Sequence, residues 1–155
     1  MTAGHASHSG EQQCAEELLR VGASGRLGAD LQPVDLRLPG GALVRIDGGS
    51  KYPPVLVEIY AHQGALKGSQ PRKLAADAFK LVTVQRTVMP GARLALVLAD
   101  EVTAKQVRQG WLGEALSTWA IEVVVVPLDA AVRQGLTAAQ LRQRMVNPPT
   151  TSAAL

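Results

Sequence analysis

The chain has 155 residues and a mass of 16.3 kDa, enough for one domain with its own core, and its 46% hydrophobic and 19% charged residues are the composition expected of a soluble globular protein. A single cysteine, Cys14, excludes an internal disulfide and a zinc site built on several cysteines, which suits a reducing compartment. No run approaches the roughly 18–20 apolar residues of a membrane span, and MTAGHASHSG lacks the basic start and apolar middle of a secretory signal, so a cytoplasmic protein without a membrane partner is expected.

Residues 1–9 read as a short disordered lead. GEQQCAEELLRV predicts a helix from about Gly10 to Val21, with acids in its first turns where the dipole favours them. Cys14, Leu18 and Val21 share one face of that helix, and the three glycines of GASGRLGAD should end it. Three strands follow. QPVDLRL alternates, with Val34, Leu36 and Leu38 on one face and Asp35 and Arg37 on the other. After the turn Pro39-Gly40-Gly41, ALVRID alternates again, with Ala42, Val44 and Ile46 inward and Arg45 and Asp47 opposite. GGSKYPP reads as a loop. VLVEIYA is the third strand, with Val55, Val57 and Ile59 on one face and Leu56, Glu58 and Tyr60 on the other.

PRKLAADAFKLVTVQRTV predicts a long helix with Pro71 in its first turn. Leu74, Ala78, Leu81, Val82, Gln85 and Val88 trace its buried stripe, and Lys73, Asp77 and Lys80 share a neighbouring face. RLALVLA has the continuous apolar run of a central strand. A helical stretch GWLGEALSTWA leads to IEVVVVPL, a fully apolar strand, and a last helix over about Asp129 to Val146 precedes the loose tail NPPTTSAAL. The order is αβββαβαβα in one α/β domain over residues 10–146, with residues 147–155 as a flexible tail. Trp111 and Trp119 fit core or dimer packing better than base stacking.

Two carboxylates stand out. Glu58 interrupts the most strand-like run of this half of the chain, where a charge is costly unless paired or metal-bound. A meander of the three strands brings Asp47 beside it. Asp47 before Gly48-Gly49 also has the chemistry of a turn residue. The net charge of +3 is concentrated: between Ala61 and Arg93 six basic residues (Lys67, Arg72, Lys73, Lys80, Arg86, Arg93) face one acid, Asp77. Such a segment is either a solvated helix face or a surface for phosphates. His62, directly after the third strand, stands where a phosphate would approach.

An acid-bearing first helix, an Asp closing the second strand and a Glu within the third, in VRIDGG…VLVEIYA followed by a basic helix, resemble the PD-(D/E)xK nuclease superfamily, and within it the restriction-endonuclease-like and Holliday junction resolvase-like group. The resemblance spans roughly residues 11–128. It implies an αβββαβ core with a mixed sheet flanked by helices, in which the Asp and Glu hold Mg²⁺ or Mn²⁺ and a lysine two residues past the Glu assists the attacking water. A homodimer cutting duplex or branched DNA follows from the same likeness.

Here Asp47 and Glu58 would be the metal ligands, with the Ile59 carbonyl as a further oxygen donor, and Glu16 or Glu17 would act through water or be ordinary helix-surface charge. Tyr60 stands where the lysine belongs, and it supplies no positive charge. In this superfamily the lysine is sometimes displaced to another element, and the available replacements are Lys73 first, one turn into the following helix, then Lys67 on its loop, and Lys80. His62, Lys67, Arg72, Lys73, Lys80 and Arg86 would contact the nucleic acid. Two other readings stay open: the same fold without turnover, holding nucleic acid or a protein, and a small regulatory or assembly module in which both acids are structural.

Overall fold

The computed structural model of the chain describes residues 3–128, and side chains from residue 10 onward. The last helix and the tail expected over 129–155 lie outside the described residues. The described elements run α1 (Ala3–Leu27), β1 (Gln32–Arg37), β2 (Leu43–Lys51), β3 (Pro54–Tyr60), α2 (Gln70–Thr87), β4 (Arg93–Leu98), α3 (Glu101–Val107), α4 (Gly110–Thr118) and β5 (Ile121–Val125). The protein is α/β, with a five-stranded mixed sheet in the order β1-β2-β3-β4-β5. β1, β2 and β3 form an antiparallel meander, while β4 and β5 join parallel to β3. Parallel neighbours need crossovers, and a consistent hand puts both on one face. Accordingly α2, α3 and α4 cover one side of the sheet through Leu74, Leu81, Ala104, Val107 and Leu112, and α1 covers the other through Leu19, Ala23 and Leu27.

The first helix departs from its expected limits at both ends. It begins at Ala3, inside the stretch read as a disordered lead, and runs through Gly22 and Gly25 until Gly28 takes a left-handed backbone, φ 63°. Burial, not propensity, decides the matter. Leu19, Ala23 and Leu27 lie on the sheet, while Val21, assigned to the buried face, is 66% exposed. Gly22 lies so close to the end of the sheet that a methyl group there would stand 2.5 Å from Val126 Cγ1, so its lack of a side chain is what lets the helix dock.

β2 continues to Lys51, four residues beyond its expected end at Asp47. Its glycines fit gaps between neighbouring side chains: a methyl at Gly48 would lie 2.8 Å from Val57 Cγ2 and 3.3 Å from Leu31 Cβ. Gly48→Val should cost about 1–3 kcal/mol by overpacking, read as a lower urea midpoint at unchanged slope. β4 is the buried central strand expected of its apolar run. β5, read as another fully apolar strand, is at the edge of the sheet among the described residues, and its three middle residues are partly exposed. α3 was not anticipated, being too short for periodicity; Asp100 caps it, its side chain accepting from Thr103 N–H at 2.7 Å. Among the described residues no helix is long and apolar enough to cross a membrane.

Candidate active site

β2 and β3 pair in register from Lys51↔Pro54 to Gly48↔Val57, and there the regular ladder gives way. One step further on, side chains take its place. Asp47 N–H donates to Glu58 Oε1 at 3.2 Å, and Ile59 N–H donates to Asp47 Oδ2 at 2.9 Å. Each acid therefore accepts a backbone hydrogen bond from the other's strand, which fixes both carboxylates side by side. An irregularity on the β1 side of β2, where the register shifts between Gln32 and Val34, accompanies this. Ile46 and Gly49 both face the α2 layer and Gly48 faces α1, so strict alternation breaks between them at Asp47. From α1, Arg20 Nε donates to the Asp47 carbonyl at 2.9 Å and braces the irregular segment.

The N–H and C=O of one residue in an extended strand point the same way. Because the Ile59 N–H meets Asp47, its carbonyl also turns toward the β2 side. Asp47, Glu58 and Ile59 all line a polar cleft of about 330 Å³ together with Glu16, Lys73 and Lys80. β3 is sandwiched between helices, and Glu58 on it is only 3% exposed. That burial pushes its carboxyl up to about 7; the Lys80 hydrogen bond works against the rise and the neighbouring Asp47 charge adds to it. Glu16 on α1 is raised too, by burial first and then by Asp47.

The lysines sort differently from the sequence expectation. Lys80 Nζ stands 2.8 Å from Glu58 Oε2 and donates to the Arg45 carbonyl at 2.9 Å. Lys73, the preferred replacement, points into the same cleft but pairs with Asp77 at 3.0 Å. Burial opposes its charge, yet the Asp77 hydrogen bond and the charges of Asp77, Asp47 and Glu58 hold its amine above the usual lysine value. Its Nζ lies 5.9 Å from the centre of the Tyr60 ring. Tyr60 packs into the α2-side core, and its hydroxyl is buried without a hydrogen-bond partner among the described residues. Burial raises its phenol above the ordinary value, with the Lys73 charge acting against that. Tyr60, two residues past Glu58 on β3, is thus a packing group.

Of the other expected site residues, His62 borders the cleft, whereas Glu17, Lys67 and Arg72 are exposed outside its lining. Arg86 lies at the far side of α2, its guanidinium 4.9 Å from the centre of the Trp119 ring. Half of the basic run from 61 to 93 is engaged within the fold, since Lys73, Lys80 and Arg93 have carboxylate partners in Asp77, Glu58 and Glu122. Arg20, Arg45 and Gln12 escaped sequence reasoning because they depend on how α1 and β2 are rotated toward the cleft. Asp100 also escaped it. Besides capping α3, it accepts from Gly64 N–H, and Thr103 Oγ1 donates to the Gly64 carbonyl at 2.8 Å. Burial works against the Asp100 charge, but these backbone N–H bonds hold its carboxyl below the ordinary value. The loop carrying His62 is thereby tied to the start of α3.

Among the described residues no three His, Cys, Asp or Glu side chains converge on one point. The donor set is two carboxylates and a carbonyl direction. That is too few for a closed zinc site, and it suits Mg²⁺, which keeps several waters and takes one or two carboxylates. No family model, no curated protein and no solved structure matches the chain.

Proposed function

We propose that the protein is a metal-dependent phosphodiesterase, an endonuclease of the PD-(D/E)xK kind acting on duplex or branched DNA. The observation that carries this reading is the reciprocal bonding of Asp47 and Glu58 across the end of the β2–β3 ladder, in an open polar cleft beside a lysine amine. Two acids forced together at a buried position repel one another, and burial already destabilises the Glu58 charge. A divalent cation offsets both effects, which is a reason for such a pair to exist.

Asp47, Glu58 and the Ile59 carbonyl would hold Mg²⁺ or Mn²⁺. When bound, that cation supplies a water acidic enough to attack near neutral pH and charge compensation at the scissile phosphate. The chain's own groups do the rest. Both carboxylates are held by backbone N–H groups, so they lose little freedom on accepting the ion. The Lys80 amine lies against Glu58, close enough to compensate negative charge growing on the phosphate, and takes the role expected of Lys73. Glu16 lines the same cleft from α1 and would act through water. His62 and Lys73 border the same opening and would meet phosphate oxygens.

The test is incubation of the full chain with linear and branched DNA. Cleavage is expected with Mg²⁺ or Mn²⁺ and lost with EDTA, and Asp47→Ala should lower the rate at least about a thousandfold, about 4 kcal/mol of transition-state stabilisation, with an unchanged circular dichroism spectrum. DNA retention should weaken as salt rises. A second reading, the same fold binding nucleic acid without turnover, draws on Tyr60 in place of the lysine and on Lys80 being committed to Glu58. Salt-sensitive binding with no cleavage under any divalent cation would select it. Retention indifferent to salt would remove both readings.

A further inference from the structure

The chain has one phenylalanine and two tryptophans, and the fold leaves all three at its surface. Phe79 is 76% exposed, Trp111 71% and Trp119 48%. They border a single groove of about 580 Å³ between α2 and α4, whose floor is made by Ala75, Ala78, Val82, Ala115 and Leu116. Among the described residues, nothing covers these rings, the largest apolar side chains of a chain whose core is aliphatic. An aromatic side chain buries about 150–250 Å² when covered, so the exposed fractions leave roughly 300–500 Å² of ring surface in water. That is as large as the biggest apolar patch of a typical monomer and about half of the roughly 800 Å² each partner gives to a standard interface.

We infer that this groove is the interface of a symmetric homodimer, in which α2 and α4 of one copy pack on α2 and α4 of a second. The patch carries both halves of the contact, projecting rings at its rim and small side chains in its floor, and a two-fold contact requires a surface that fits itself. Its charge fits the same occupant. Among the described residues lining the groove Arg86 is the single charged one, and it is stacked on Trp119. Glu114 lies one turn beyond Trp111 along α4. A two-fold crossing of the helices can therefore offer Arg86 of each copy a carboxylate on the other. A nucleic-acid backbone would need several cations here and finds one. The inference stands apart from the nuclease reading, since it needs neither metal nor DNA.

The test is sedimentation velocity and tryptophan emission of the full chain across a roughly hundredfold dilution. Both tryptophans are in the groove, so emission reports on its cover directly. A dimer mass with blue-shifted emission is expected at high concentration, with mass falling and emission moving to the red together on dilution. Phe79→Glu, at a position too exposed to disturb folding, should give a monomer throughout, and Phe79→Ala should weaken association at least tenfold. A monomer with red emission at every concentration overturns the inference. So does a dimer that survives Phe79→Glu, which puts the interface elsewhere. Blue emission from a monomer at all concentrations also overturns it, and assigns the groove to residues 129–155 of the same chain.

Discussion

Glu58→Gln is expected to give a protein that is more stable at neutral pH and, under the proposed nuclease function, without DNA cleavage. Glutamine keeps the shape of the side chain and its acceptor for the Asp47 N–H, so the local hydrogen bonding survives. What it removes is the charge that would hold the proposed cation. The rate should fall at least about a thousandfold, again about 4 kcal/mol. The stability gain comes from the other side of the same fact. Glu58 is nearly inaccessible, and burial pushes its carboxyl from the ordinary 4.5 up to about 7. Between those two values the folded protein retains a proton that the unfolded chain has released. Stability contributed by this group is therefore lost as pH rises from about 4.5 to about 7, and the penalty is complete above that.

The neutral side chain carries no such penalty, so Glu58→Gln should gain about 2–3 kcal/mol at about pH 8 and almost nothing near pH 4.5. Urea titrations at the two pH values check this. Mg²⁺ supplies a complementary reading: it should raise the melting temperature of the wild type by mass action and leave Glu58→Gln unmoved. A variant less stable than wild type at pH 8 would mean that the Lys80 pair outweighs the cost of burial.

The strands were the legible part of the fold. β1 alternates because only one of its faces is covered, and β4 is apolar throughout because helices cover both faces. Limits set by tertiary contact were not legible. Gly22 reads as a helix breaker until Val126 is seen against it, and Gly48-Gly49 read as a loop until Val57 and Val34 are seen beside them. Glycine marks both a turn and a close approach, and local pattern does not separate the two. The same limit hid the outward-facing tryptophans, since eight residues of helical spacing place them on one face without saying whether that face meets the sheet.

At the site, the neighbouring of the strands that carry Asp47 and Glu58 was readable from the meander, and the tight turn between Lys51 and Pro54 sets the register that brings the two acids together one step beyond Gly48↔Val57. Which lysine meets them was not readable. Lys73 and Lys80 share a face of α2 two turns apart, about 10.5 Å along the axis at 1.5 Å per residue. The choice between them is the axial offset of the helix over the sheet, a quantity that spacing within the helix does not carry. Docking of α2 through Leu74, Ala78, Leu81 and Val84 sets that offset so that Lys80, rather than Lys73, reaches Glu58.

Lys80→Met should therefore lower cleavage about a hundredfold or more, about 3 kcal/mol, while Lys73→Ala costs less than about tenfold. Metal affinity separates a lost amine from a collapsed site, since Mn²⁺ binding by calorimetry should persist in Lys80→Met. Stability adds a second axis. Methionine keeps the apolar stem but leaves Glu58 without its cationic partner, a loss of about 3–5 kcal/mol for a fully buried pair. Lys80 is 31% exposed at its side chain, so water already screens part of the attraction and about 1–3 kcal/mol is expected above pH 7. Below pH 5 the loss should vanish, because a protonated Glu58 no longer needs the amine. The double variant Glu58→Gln with Lys80→Met carries the decisive comparison: with the buried charge gone, losing the amine should cost almost nothing in stability. If the two costs simply add, Lys80 supports the fold through its stem and the amine has no special claim on Glu58.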